Sequence, residues 1–205
     1  MYRTRQSSLA VAKLTSGKAA EIRSRSDALK TGQTRGGKVA VIQFNYAVPL
    51  EQTMVFEAVY HPGLQLDLSQ KQEVWDTPGA FFVWMIVDGQ LAGESYGIPL
   101  VSSSELIEDL LVLPRSEREK AVCCFSNTIL PAFQKQGFGS ILKAHWLGLA
   151  AGKGFDVVYG HARPGGSQAL NAKFGAVFLE NLPDWFGSGE DYRKYRLVLT
   201  SKIPS

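Results

Sequence analysis

The chain has 205 residues, a length that suits one domain, and its 45% hydrophobic and 20% charged residues are those of an ordinary globular protein. No apolar run approaches the ~18 uncharged residues of a membrane span, so no membrane partner is expected. The net charge of +3 hides a division: residues 1–38 hold nine Lys/Arg against Glu21 and Asp27, a basic arm on a mildly acidic body.

The arm, residues 1–37, has loose helical spacing over 11–29 and a glycine-rich linker composition over 31–37. Its charge fits contact with nucleic acid or another acidic surface, though a solvated arm is the plainer reading. It lacks the apolar core of a secretory leader, so a cytoplasmic location is expected. The folded domain is expected over residues 38–205. It opens on a strand at 39–44, and 49–78 should supply one or two short helices. The apolar run 81–87, the Asp88-Gly89 pair and residues 90–97 read as an antiparallel hairpin, because Asp-Gly tolerates the positive φ angles of a type I′ turn.

A short apolar helix or turn over 106–113 ends at Pro114, and a charged connection precedes a strand within 121–133. Cys123 and Cys124 sit side by side in that strand. Neighbours on a strand point to opposite faces, so no disulfide is expected and a reducing compartment fits. Phe138, Ile141, Leu142, Trp146 and Leu149 then mark one face of a helix over 138–151, closed by Gly152-Lys153-Gly154. Residues 155–161 form a strand, and 167–174 a short helix with Ser167 as its N-cap. Strands at 176–179 and 192–199 finish the chain. The strand–helix–strand unit implies one parallel pair in an otherwise mostly antiparallel sheet, an α/β fold that is mixed rather than doubly wound.

The stretch most informative about chemistry is Ile129-Leu130-Pro131-Ala132-Phe133-Gln134-Lys135-Gln136-Gly137-Phe138-Gly139-Ser140. A strand gives way to a polar loop, and glycines open an amphipathic helix. Such a helix start exposes unpaired N–H groups and partial positive charge, which favour phosphate. Gly137 and Gly139 leave the main chain open to close approach, and Gln134 and Lys135 add a donor and a cation. No Walker motif follows, and the third glycine of a dinucleotide fingerprint is missing.

Gln134-x-x-Gly137-x-Gly139 resembles the [Arg/Gln]-x-x-Gly-x-[Gly/Ala] signature of the GNAT superfamily of N-acetyltransferases, with Pro131 where that family often has a proline. Ser167 and Lys173-Phe174-Gly175-Ala176 resemble the family's later Ser…Lys-Leu-Gly pattern. The resemblance, over residues 81–199, implies a GNAT-like sheet whose central parallel pair is splayed. It implies acetyl-CoA, or another acyl-CoA, as co-substrate, with pantetheine in the splay and the pyrophosphate on residues 134–140. Ile129 or Leu130 would donate a main-chain N–H, and Asn171 would lie against the cofactor. The implied reaction moves a short acyl group to a primary amine on a small molecule, peptide or protein by direct attack in a ternary complex. A related enzyme acting on nucleic acid and a non-catalytic acyl-CoA-binding protein are the alternatives; a homodimer is left open.

The family's frequent glutamate base would align near Cys123 and its tyrosine acid at Asn171, so neither role transfers. His161, at a strand end beside the implied cleft, is the candidate base. Tyr159, on the same face, is the candidate acid, and Ser126 with Asn127 a candidate water-holding pair. Glu94 stands as a binder of cationic substrate or a solvated residue. Cys123 is expected to be a buried small hydrophobe. The loop Trp185-Phe186-Gly187-Ser188-Gly189-Glu190-Asp191 would cover the acceptor side. His61, His145 and His161 have no metal-ligand spacing, so no metal is expected.

Overall fold

The computed structural model describes residues 27–33, 39–102 and 107–199. Its strands are β1 Asp27–Gln33, β2 Val39–Asn45, β3 Phe81–Val87, β4 Gln90–Pro99, β5 Ala121–Ile129, β6 Val157–Ala162, β7 Val177–Leu182 and β8 Tyr192–Val198. The helices are α1 Leu50–Thr53, α2 Leu68–Asp76, α3 Glu108–Leu111, α4 Arg115–Arg118, α5 Phe138–Gly152 and α6 Gly166–Lys173. The strands form one sheet in the order β1-β2-β3-β4-β5-β6-β8-β7. Among the described strands, only β5 and β6 run parallel. The expected mixed sheet with one central parallel pair is the observed one.

The β3–β4 hairpin turns as its dipeptide requires, with φ of 48° at Asp88 and 79° at Gly89. β3 is apolar at every position because both faces of the sheet are covered there. Phe81, Val83 and Met85 pack on the α5 side with Leu142, Trp146 and Ala150. Phe82 and Trp84 pack on the opposite side with Phe56, Val74 and Tyr96.

Two expectations about the elements change. Asp27–Gln33 pairs antiparallel with Val39–Asn45, placing Thr31 opposite Val41 and Gly32 opposite Ala40, so part of the stretch read as linker is strand. A polar, glycine-bearing segment serves as a sheet edge, where only one side needs partners. The rest of the basic arm lies outside the described residues. Ser167 is not an N-cap: α6 starts one residue earlier at Gly166, and Gly165, with φ of 82°, takes the cap. Gly165 reaches that conformation without a Cβ clash.

Glu94 is neither solvated nor open to substrate. Its side chain is fully buried, accepting from Trp84 Nε1 at 2.7 Å and from Lys71 Nζ at 2.9 Å. Lys71 Nζ, itself fully buried, also meets Glu57 Oε1 at 3.1 Å. Two carboxylates therefore share one ammonium in a dry setting. Burial, ahead of the opposing pull of Lys71, pushes the Glu94 carboxyl up from 4.5 to about 7. A raised carboxyl penalises the fold only when ionised. Its contribution is therefore fully favourable below the unfolded value and is lost as pH rises through about 7. Relative to Glu94→Gln, the wild type should lose about 2 kcal/mol of unfolding free energy between about pH 5.5 and about pH 8, measured by urea titration at each pH. A gap that stays constant with pH would show that Glu94 is ionised throughout.

Candidate active site

β5 and β6 stay paired for three registers only: Ala121 with Val157, Val122 with Val158 and Cys123 with Tyr159. Beyond them β5 remains bonded to β4 as far as Ile129, and β6 remains bonded to β8 through Ala162. The register between β4 and β5 shifts at Tyr96/Gly97, leaving Phe125 as an extra residue on β5. Such a bulge bends the strand and increases its twist. Each strand thus follows its outer neighbour, and a gap opens between them.

That gap widens into a cleft of about 710 Å³. Gln134, Lys135 and Gly139 stand at one end, with Asn127 and Ile129 along the β5 edge. Tyr60, which bonds to Ser126 and Thr128 of β5, lines the cleft too, as do His161 of β6 and Trp185. Leu130 N–H is committed to Ala92 O at 2.9 Å. Bonding alternates along an antiparallel ladder, so Ile129 turns its main-chain groups to the opposite edge, into the gap. Of the two expected donors, Ile129 is therefore available and Leu130 is not.

The loop between β5 and α5 is built to hold its shape. Gln134 Nε2 donates to Ile129 O at 2.9 Å, and Gln136 Nε2 donates to Ala132 O at 3.2 Å. Both glutamine side chains therefore brace the loop, and Gln134 is not the free donor its position implied. Lys135 and Gly137 take φ of 62° and 92°, turning the chain into the helix. A Cβ at Gly137 would meet nothing within 4 Å, so its glycine answers the backbone conformation and leaves open space in front of it. The first helical N–H to find a carbonyl is that of Ser140, on Gly137 O at 3.0 Å. The N–H groups of Phe138 and Gly139, first in the helix, have no carbonyl to bond within it, which makes the helix start a ready anion site with partial positive charge. Phe138 contributes only its main chain, since its side chain is core. Ser140 Oγ accepts from Lys173 Nζ at 3.1 Å and so ties α5 to α6. Asn171 lines the cleft; its Nδ2 donates to Ser167 O, whereas its buried Oδ1 has no partner among the described residues. Asn127, also on the cleft, has neither Oδ1 nor Nδ2 partnered there.

The side expected to take the acceptor departs from the sequence reading. His161 Nε2 lies 2.9 Å from Asp109 Oδ2, and its ring packs 4.6 Å from Trp185. Asp109 also meets Lys194 Nζ at 3.1 Å, and Lys194 in turn meets Glu180. Burial works to raise the Asp109 carboxyl, but the hydrogen bonds and charges of His161 and Lys194 hold it below the usual range. With Asp109 ionised, His161 carries hydrogen on Nε2, leaving Nδ1 as its basic nitrogen. Tyr159, by contrast, is buried outside the cleft lining and donates its hydroxyl to Glu117 Oε1. Burial first, then that bond, raises its pKa. It is no proton donor to the cleft. Ser126 is likewise buried behind the lining, where its Oγ meets Tyr60 OH at 2.7 Å and Thr128 Oγ1 at 3.2 Å. The cleft-facing members of that hydroxyl chain are Tyr60 and Thr128. Burial holds the Tyr60 phenol far above its ordinary value, so it stays protonated. The loop residues Trp185 and Phe186 do border the cleft, across from Gly63 and Leu64.

Cys123 is the buried hydrophobe expected, and burial drives its thiol well above 9.0. Iodoacetamide should leave Cys123 unmodified in the native protein and alkylate it once denatured, read by peptide mass spectrometry. Native labelling at Cys123 would place it in open solvent instead.

The sequence matches no protein-family model and no curated protein. The fold, however, matches solved structures. A chain from Desulfovibrio desulfuricans assigned to the GNAT family of acetyltransferases has a TM-score of 0.53 at 17% identity, over 78% of this chain and 99% of that one. The ribosomal-protein-alanine N-acetyltransferase of Brucella melitensis has a TM-score of 0.57 at 16% identity, over 76% and 99%. yncA of Salmonella typhimurium, assigned as an acetyltransferase and solved with acetyl-CoA, has a TM-score of 0.58 at 15% identity, over 80% and 96%. This chain has the fold of the GNAT acetyltransferases.

Proposed function

We propose that the protein is an acyl-CoA-dependent N-acyltransferase that moves a short acyl group to a primary amine. One observation carries this reading: the gap between β5 and β6 leads directly from the unpaired N–H groups at the start of α5. A pyrophosphate on those amides directs the pantetheine arm along the Ile129 edge, whose main-chain groups bond its amides in place of β6. The thioester then lies deep in the gap. The acceptor amine enters past Trp185, Phe186 and Leu64, an apolar mouth that suits an amine with an apolar body.

The residues divide the chemistry as follows. Main-chain N–H groups on the β5 edge stabilise the oxyanion as the amine nitrogen bonds to the thioester carbon. His161 Nδ1 takes the surplus amine proton, with Asp109 fixing the ring and steadying its charge. Collapse breaks the C–S bond, and the departing thiolate takes the proton that His161 had accepted, by way of water, so that CoA leaves as the thiol and the imidazole is neutral again. Because both reactants are held in one cleft, positioning supplies much of the rate. Acetyl-CoA is the simplest donor for such a site.

Gly137→Asp adds a side chain and a negative charge in front of the amides. It should abolish CoA binding in calorimetry while circular dichroism stays native; retained affinity would move the pyrophosphate elsewhere. His161→Ala should lower kcat by about 10²-fold or more, with little change in KM for the acyl-CoA. An unaltered kcat would remove His161 from the chemistry.

A further inference from the structure

Lys143 has a surrounding unlike that of any other described lysine. It is 1% exposed, projects from α5 to the cleft, and has no carboxylate within ion-pairing distance among the described residues. Its Nζ instead meets Cys124 Sγ and Tyr195 OH, each at 3.2 Å, and lies over the rings of Trp146 and Tyr195. An ammonium has three hydrogens to donate, and a buried one without a counter-charge is costly.

The position of this group in the fold is specific. Cys124 is the first β5 residue past the last β5–β6 register, and Gly160 is the first on β6. Gly160 is what lets Tyr195 in: a Cβ there would stand 2.6 Å from the Tyr195 hydroxyl. Lys143, Tyr195 and Cys124 all line the cleft, at its closed end. From Ile129 to Cys124 the strand covers about 16 Å, comparable to an extended pantetheine arm. Whatever the acyl chain carries beyond its carbonyl therefore arrives at this group.

We propose that Lys143, with the Tyr195 hydroxyl beside it, binds a carboxylate at the far end of the acyl chain, so that the preferred donor is the CoA thioester of a short dicarboxylic acid. The inference rests on the acyl-CoA reading above and names its donor class. A carboxylate supplies the charge that Lys143 lacks and accepts from both Nζ and the phenol. Burial keeps the Tyr195 phenol protonated as a donor. A neutral acyl chain would leave the ammonium uncompensated.

The test measures affinities by calorimetry for two matched pairs: succinyl-CoA against valeryl-CoA, and malonyl-CoA against butyryl-CoA. Wild type should favour the charged member of at least one pair by about tenfold or more, the strength of a charge-assisted contact. Lys143→Met, close to lysine in shape and free of the buried charge, should bring that ratio near one. Tyr195→Phe should lower it several-fold, a second readout should Lys143→Met not fold. No preference in wild type, or a preference that survives Lys143→Met, overturns the proposal. So does an equal loss of turnover with every donor, which would make Lys143 an oxyanion partner. Failure of free CoA itself to bind would overturn the acyl-CoA reading, whereas tight binding of CoA and valeryl-CoA without a carboxylate preference overturns the donor class alone.

Discussion

The site depends on the refusal of β5 and β6 to stay together. A parallel pair at the centre of a sheet normally satisfies its main-chain groups along its whole length. Here each strand is held more firmly from outside, β5 by β4 and β6 by β8, and the sheet's twist draws the two apart after Cys123 and Tyr159. The bulge at Phe125 sharpens this bend on β5. Gly97, where the register shifts, has no room for a methyl: a Cβ would stand 2.4 Å from Trp146 and 2.6 Å from Cys123 O. The α5 helix therefore packs directly against the sheet at the point of divergence, and its N-terminus faces the mouth of the gap.

Once the strands part, the β5 edge presents main-chain groups that water or a ligand must satisfy. The loop braced by Gln134 and Gln136 keeps the helix amides at a fixed offset from that edge. On the acyl-CoA reading, recognition of a long coenzyme would come from main-chain geometry more than from particular side chains. Solved structures at 13–17% identity share the fold. The side expected to take the acceptor is built instead from side chains on α3, β6, β8 and two loops.

What the sequence disclosed follows from that division. The Asp88-Gly89 hairpin, the apolar stripe of α5 and the Gln134–Gly139 loop are local, and each could be read within a dozen residues. The partners that define the acceptor side are not local. Tyr60 reaches Ser126 across 66 positions, and His161 reaches Asp109 across 52. No periodicity connects them. Tyr159 and Ser126 depart from expectation for a related reason: strand alternation assigns a face but does not say what already occupies it. Glu94 looked like an exposed acid at a strand start because its partner Lys71 lies on a helix whose docking no local pattern encodes. Lys143 did leave a trace, as the one charge within the buried stripe of Leu142, Trp146, Leu147 and Ala150.

The two buried lysines make the clearest contrast in the molecule. Lys71 and Lys143 are equally dry, yet Lys71 has two carboxylates and a carbonyl, whereas Lys143 has a thiol and a phenol. Lys71 sits in closed packing between α2 and the β3–β4 hairpin, where an ammonium must bring its counter-charges with it. Lys143 borders a cleft, where the counter-charge can arrive with a ligand. A methionine in its place would pack the same stripe without a desolvation cost, so core packing alone gives no reason for an ammonium at this position. Its placement at the closed end of the splay, reached only because Gly160 admits Tyr195, is what an acyl chain bearing its own negative charge would meet.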